Sequence, residues 1–277
     1  MSPDQYCQQK AVASGSSFYY AFLFLPPERR RAITALYAFC REVDDVVDDG
    51  FDPQLAATKL DWWRAEIGNL YAGRPQHPVT RALQPALAKY GLAAERLHDI
   101  IAGMAMDLGQ RRYLDFAALE RYCHLAAGVV GLLAAGIFGY RDPRTLEYAR
   151  TLGIAFQLTN IIRDVGEDAR KDRIYLPLED LRRFGVTAND ILHTRNTEPF
   201  RRLMQFQAKR AEAYYERAYA LLPAADRRAQ RPGLVMAAIY RALLAEIGRD
   251  GYRVLTHRTS LTPLRKFWIA WKTWVLA

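Results

Sequence analysis

The chain has little cysteine: Cys7, Cys40 and Cys123 are the only three in 277 residues, and none belongs to a C-x-x-C pair. An odd number without paired spacing excludes a disulfide framework and a cysteine zinc site, and it fits a reducing, cytoplasmic setting. The histidines His77, His98, His124, His193 and His257 are scattered, so no histidine metal cluster is expected either. Neither a Walker loop nor a G-x-G-x-x-G turn occurs, which removes the common nucleotide and nicotinamide cradles. The longest apolar run, LAAGVVGLLAAGIFG at 125–139, falls short of the ~20 residues of a membrane span and predicts a buried helix. The N-terminus shows no signal-peptide pattern. Alternating β-branched strands, a Ser/Gly-rich linker and a long repeat are all missing, so residues 1–277 are expected to form one domain.

What the chain does have is helical periodicity nearly throughout, and 51% hydrophobic residues, enough for a sizeable core. The expected class is all-α. Breaks fall at Pro26-Pro27, Gly50 to Pro53, Gly73 to Pro78, Gly91, Arg141 to Pro143, Pro177, Gly185 and Pro223. The net charge of +9 predicts attraction for anions, whether phosphorylated small molecules, anionic lipid or nucleic acid. Arg and Lys are dispersed, and no nucleic-acid-binding motif is present, so no nucleic-acid partner is expected.

Against that basic background stand two acidic segments. In REVDDVVDDG, residues 41–50, Asp44 and Asp48 are one helical turn apart beside the stripe Ile33, Leu36, Tyr37, Cys40, Val43 and Val47. In QLTNIIRDVGEDARKDRIYLP, residues 157–177, Asn160, Asp164 and Asp168 recur every four residues. Carboxylates at i, i+4 cost a helix roughly 0.2–0.5 kcal/mol, and near its C-terminal end they also oppose the macrodipole. A solvated face would explain one such segment. Two of them, each flanked by apolar residues, suggest a divalent cation between them. Oxygen donors favour magnesium, which leaves positions for phosphate oxygens. Arg41, Arg163, Lys171 and Arg173 accompany the carboxylates and suit a diphosphate, with Gln157 on the same face as Asn160. Aromatic residues such as Phe18, Tyr37, Phe138 and Phe156 are core material taken singly. Together they are able to line a cavity for an isoprenoid chain or a carbocation.

These segments resemble the squalene and phytoene synthase family of head-to-head prenyl transferases over nearly the whole length. SGSSFYYAFLFLPPERRRAITALYAFCREVDDVVDD carries the family's first block, YCHLAAGVVG its central helix, and QLTNIIRDVGEDARKDRIYLP its second aspartate-rich block. The resemblance implies an isoprenoid synthase fold, helices around a central apolar cavity. It assigns Asp44 and Asp48 to one magnesium edge and Asn160, Asp164 and Asp168 to the other, with manganese as a substitute ion. Arg41, Gln157 and Tyr240 are implied around the diphosphate, beside the Arg163 and Arg173 read from the residues themselves. Ser14, Ser16 and Ser17 are implied in an entrance flap, where the usual Lys-Ser is replaced. Phe18 and Tyr37 are implied near the reacting carbons and Tyr122 in the cavity.

Within the family the opening segment is most similar to the bacterial branch that makes presqualene diphosphate for hopanoids. That reading expects farnesyl diphosphate as substrate, no NADPH, and hand-over of the product to the next squalene-pathway enzyme. Phytoene, dehydrosqualene or squalene formation is the alternative within the same fold, and a non-catalytic assembly or lipid-binding protein is an alternative outside it. The C-terminal LTPLRKFWIAWKTWVLA mixes tryptophan with lysine and arginine. It is read either as a last helix docked on the core or as a peripheral contact with the inner face of a membrane.

Overall fold

The computed structural model describes residues 1–13, 18–48 and 52–277. Fourteen α-helices are defined among them, with no β-strand. The first half comprises α1 (Pro3–Ala13), α2 (Phe18–Phe22), α3 (Pro27–Asp48), α4 (Pro53–Tyr71), α5 (Pro78–Tyr90), α6 (Ala94–Gly109) and α7 (Phe116–Cys123). A π-helical turn, His124–Gly128, joins α7 to α8 (Val129–Phe138). Then come α9 (Arg144–Arg170), α10 (Leu178–Phe184), α11 (Ala188–Leu192), α12 (Glu198–Leu221), α13 (Arg231–Arg249) and α14 (Pro263–Leu276).

The helix ends follow the chain's punctuation. Asp52 accepts hydrogen bonds from the Gln54 and Leu55 amides ahead of Pro53, and Thr197 caps α12 in the same way. Gly91 and Gly185 close α5 and α10 with φ of 61° and 69°, the left-handed conformation that a Cβ disfavours. The predicted break at Gly50 lies outside the described residues.

At the centre α9 is flanked by α12, α13 and α8, with α3 and α6 completing the wall. The approach of α8 to α9 is set by glycine. A Cβ on Gly153 would lie 2.3 Å from the Ala127 carbonyl oxygen, and one on Gly131 2.3 Å from that of Ala149. Backbones therefore touch there, and the small residues Ala126, Ala127, Val130 and Ala134 leave space on the other side. The extra residue of the π turn belongs to this same wall, as such turns do where a helix reshapes around a site.

The helical stretch Phe116–Phe138, continuous through that turn, is long and apolar enough to cross a membrane. Leu119, Tyr122, Cys123, Val129, Leu133 and Phe138 are buried against the rest of the protein, so it is a core helix. The sequence count fell short only because it started at Leu125.

Candidate functional site

Helices α3 and α9 each line one cavity from its floor to its rim. Along α3 the lining passes from Ile33 through Tyr37 and Cys40 to Arg41 and Asp44. Along α9 it passes from Ala149 through Gly153 and Phe156 to Gln157 and Asn160. Eleven residues of helix on either side make the cavity about 16 Å deep. Its volume is about 1180 Å³, mouth included. Phe18, Phe22, Met104, Tyr122, Phe138 and Tyr148 supply most of the remaining wall, and polar groups cluster at the rim. Burial pushes the Cys40 thiol up to about 12, so that lining cysteine stays protonated.

At the rim the carboxylates are largely paired with the protein's own cations. Arg41 donates through Nη1 to Asp44 Oδ2 and through Nη2 to Asp45 Oδ1, each at 2.6 Å. Lys10 of α1 holds Asp45 from its other side at 2.8 Å and Glu42 at 3.0 Å. Asp45 thus helps to orient Arg41. Asp48 receives Arg173 at 2.9 Å and Lys171 at 3.1 Å. Asp164 receives Arg163 Nε at 2.7 Å and Arg258 Nε at 2.9 Å.

Asp168 makes no ion pair among the described residues. Burial, then Asp164, Asp48 and Asp107, push its carboxyl up to about 8. Burial likewise lifts Asp44 to about 6, against the pull of Arg41. Asn160 Oδ1 is buried with no hydrogen-bond partner.

No three acidic, histidine or cysteine side chains among the described residues converge tightly enough to enclose a metal. The fit to one rests on what is left unsatisfied. An orphaned amide oxygen and a carboxyl raised by burial and by neighbouring carboxylates are hard-oxygen donors of the kind magnesium takes. Asp44, Asp48, Asn160, Asp164 and Asp168 are the groups that would hold it.

Tyr37 lies against Phe18 with ring centroids 5.2 Å apart, and both line the cavity. Tyr240 is buried beside Arg163, Tyr37 and Asn160. Arg41, Asp44, Tyr37, Tyr122, Phe18, Gln157 and Asn160 therefore share one cavity. Asp48, Arg163, Asp164, Asp168, Arg173 and Tyr240 surround its rim without lining it. Ser14, Ser16, Ser17 and Asp49 lie outside the described residues.

Two residues escaped the sequence reading. Asp107 accepts hydrogen bonds from the Tyr122 hydroxyl at 2.9 Å and the Tyr175 hydroxyl at 2.8 Å, and those two rings stack 5.1 Å apart. Burial raises its carboxyl to about 6. Its signal was present: a lone carboxylate continuing the buried stripe Leu97, Ile100, Ile101 and Met104. Arg258 comes from an irregular segment with no periodicity to flag it.

The chain is similar to known proteins over most of its length. The family profile described as squalene/phytoene synthase matches residues 11–265. A 15-cis-phytoene synthase of Synechocystis sp. is 38% identical over 96% of this chain and 83% of the relative. A second, from Synechococcus elongatus, is 38% identical over 94% and 88%. Among solved structures, a dehydrosqualene synthase with bound ligand superposes with a TM-score of 0.87 at 30% identity, covering 98% of this chain and 95% of that one. A squalene synthase from Alicyclobacillus acidocaldarius gives 0.79 at 31%, covering 90% and 94%.

Proposed function

Because the chain belongs to the squalene/phytoene synthase family, whose members are prenyltransferases, we propose that it joins two allylic prenyl diphosphates head to head and releases one diphosphate. The observation that carries this is the rim of carboxylates with an orphaned Asn160 oxygen over an otherwise apolar cavity.

A magnesium ion at that rim would supply charge neutralisation for the departing diphosphate. Arg41 lies at the rim to donate to the diphosphate oxygens, and Gln157 offers an amide beside it. The allylic C–O bond breaks, and its electron pair leaves with diphosphate. The C2–C3 π pair of the second substrate then forms the new bond to the freed C1. Loss of a proton from that C1 closes a cyclopropane, the acceptor being the released diphosphate or the Tyr37 hydroxyl. Asp107 fixes Tyr122 in the wall. Phe18, Phe22, Leu36 and Phe138 keep water from the cation, which would otherwise end as an alcohol.

The curated relatives are named phytoene synthases, which favours phytoene from two geranylgeranyl diphosphates over the presqualene diphosphate suggested by the opening segment. Phytoene takes a second ionisation of the cyclopropyl product, in which the remaining diphosphate leaves with its electron pair. The ring opens as the two C1 atoms bond, and loss of a proton from the other C1 leaves the central double bond. The second reading, presqualene diphosphate from farnesyl diphosphate, keeps the support of that segment and of the dehydrosqualene synthase and squalene synthase structures. Hand-over of the product to a following enzyme, and a position at the inner membrane face, belong to either reading. Separate incubations with farnesyl and geranylgeranyl diphosphate, with magnesium and without NADPH, test the proposal. Turnover of neither would defeat it, and the substrate with the higher kcat/KM fixes the chain length.

A further inference from the structure

Helix α14 meets the body of the protein along one side only. Ala270 is fully buried, and Trp274 packs on Phe24 with ring centroids 5.3 Å apart. The opposite side carries Leu264, Trp268, Trp271 and Val275, at steps of four, three and four residues, with Phe267 and Leu276 beside them. They form one continuous stripe, and Leu264 and Trp268 are 83% and 58% exposed. Trp268 and Trp271 stack on each other at 5.1 Å, and both remain exposed. Single exposed apolar residues are ordinary. A contiguous stripe of this size marks a binding surface.

The charge around the stripe identifies the partner. From Gly251 to Ala277 there is no aspartate or glutamate. Of the cations there, Arg253, Arg258 and Arg265 pair with Asp250, Asp164 and Glu246, and Lys266 and Lys272 on α14 make no ion pair among the described residues. Tryptophan and phenylalanine on one side of a helix flanked by lysine and arginine suit the interface of an anionic bilayer.

The location matters as much as the composition. Helix α2 is packed against α14, with the Lys266 ammonium 5.8 Å from the centre of the Tyr20 ring, and α2 presents Phe18 and Phe22 to the cavity. Lys266 also faces Arg163 and Arg258, the two cations that hold Asp164, and together with burial they draw its ammonium below the usual range. One helix thus separates the apolar stripe from the cavity wall.

We infer that the outer face of α14 docks the protein on an anionic lipid surface beside the cavity, where a prenyl chain dissolved in the bilayer has a short path to the site. The surface does not depend on the proposed reaction; only its use in substrate delivery rests on that reading.

The test is co-sedimentation of the full chain, without substrate, with vesicles of phosphatidylcholine alone or mixed with phosphatidylglycerol. The wild type is expected to sediment with the mixed vesicles, less so at higher salt, and to remain in solution with phosphatidylcholine. A Trp268→Ser, Trp271→Ser double variant is expected to lose at least tenfold in partitioning, with thermal unfolding and turnover of detergent-dispersed substrate unchanged. A Lys272→Glu variant, which keeps the stripe, is expected to lose a smaller, salt-dependent part. Equal binding by wild type and double variant, or no binding by the wild type, would overturn the inference. So would a concentration-dependent dimer without lipid that the double variant abolishes, since the occupant would then be a second copy. Because binding is read without substrate, failure of the proposed reaction would leave this result standing.

Discussion

Asp48, at the end of α3, and Arg173, just beyond α9, are 125 positions apart in sequence, yet Arg173 Nη1 donates to Asp48 Oδ1 at 2.9 Å. A cation from the second acidic segment therefore pairs with a carboxylate of the first. A metal or diphosphate entering the rim competes with this contact.

Replacing Arg173 by Gln frees Asp48 from its shorter bridge. For a partly exposed pair this is worth about 0.5–1 kcal/mol. Magnesium affinity without substrate, read by calorimetry, is expected to tighten about two- to fivefold, while kcat/KM falls because a diphosphate donor is lost. Unchanged metal affinity would show that Arg173 does not compete with the ion.

Asp44 stands at the cavity rim in direct contact with Arg41. Asp44→Asn is expected to lower turnover by at least about 100-fold, the scale of losing an electrostatic stabiliser in a dry site, with an unchanged far-ultraviolet spectrum. Full activity in this variant would remove Asp44 from the account.

Asp107 gives the pH dependence. Its carboxyl rises from the ordinary value near 3.9 to about 6 on folding. Between those values the folded state holds the proton and the unfolded state does not, so this residue's contribution makes stability fall as pH increases through the window. Asp107→Asn is expected to remove that part of the slope, seen as the difference between wild-type and variant urea unfolding at pH 4 and pH 6.5. Parallel slopes would contradict it.

Much of this architecture was legible in the chain. The helical period, the Pro and Gly breaks and the i, i+4 carboxylates located α3 and α9 and the polar end of each. The pairing was not legible. Spacing along one helix shows which side chains share a face, but not that Arg173 crosses to Asp48 or that Arg258 arrives from an irregular segment. Asp107 was overlooked because a single carboxylate on an apolar stripe has no repeat to mark it. The C-terminal helix was read as either docked or membrane-facing, whereas its two sides show that one helix provides a docked face and an exposed one.

Chain length is open to a test at the floor of the cavity. A Cβ on Gly233 would lie 2.8 Å from the Tyr148 hydroxyl, which is buried without a hydrogen-bond partner, and both residues line the cavity. Gly233→Ala is expected to displace that ring into the cavity and shift the kcat/KM ratio several-fold toward the shorter prenyl diphosphate. A ratio that stays constant would place the depth limit elsewhere.

The central claim is the head-to-head condensation, and isotope retention tests it most directly. The purified protein, with magnesium, is given the prenyl diphosphate carrying two deuteriums at C1, and the product is weighed by mass spectrometry before and after phosphatase treatment. Closing the cyclopropane removes one of the four labels, and forming the central double bond of phytoene removes a second from the other C1. A dimeric product is therefore predicted to retain three labels as the cyclopropyl diphosphate or two as the hydrocarbon. A monomeric alcohol retaining both of its labels, or a dimer retaining all four, would contradict the account.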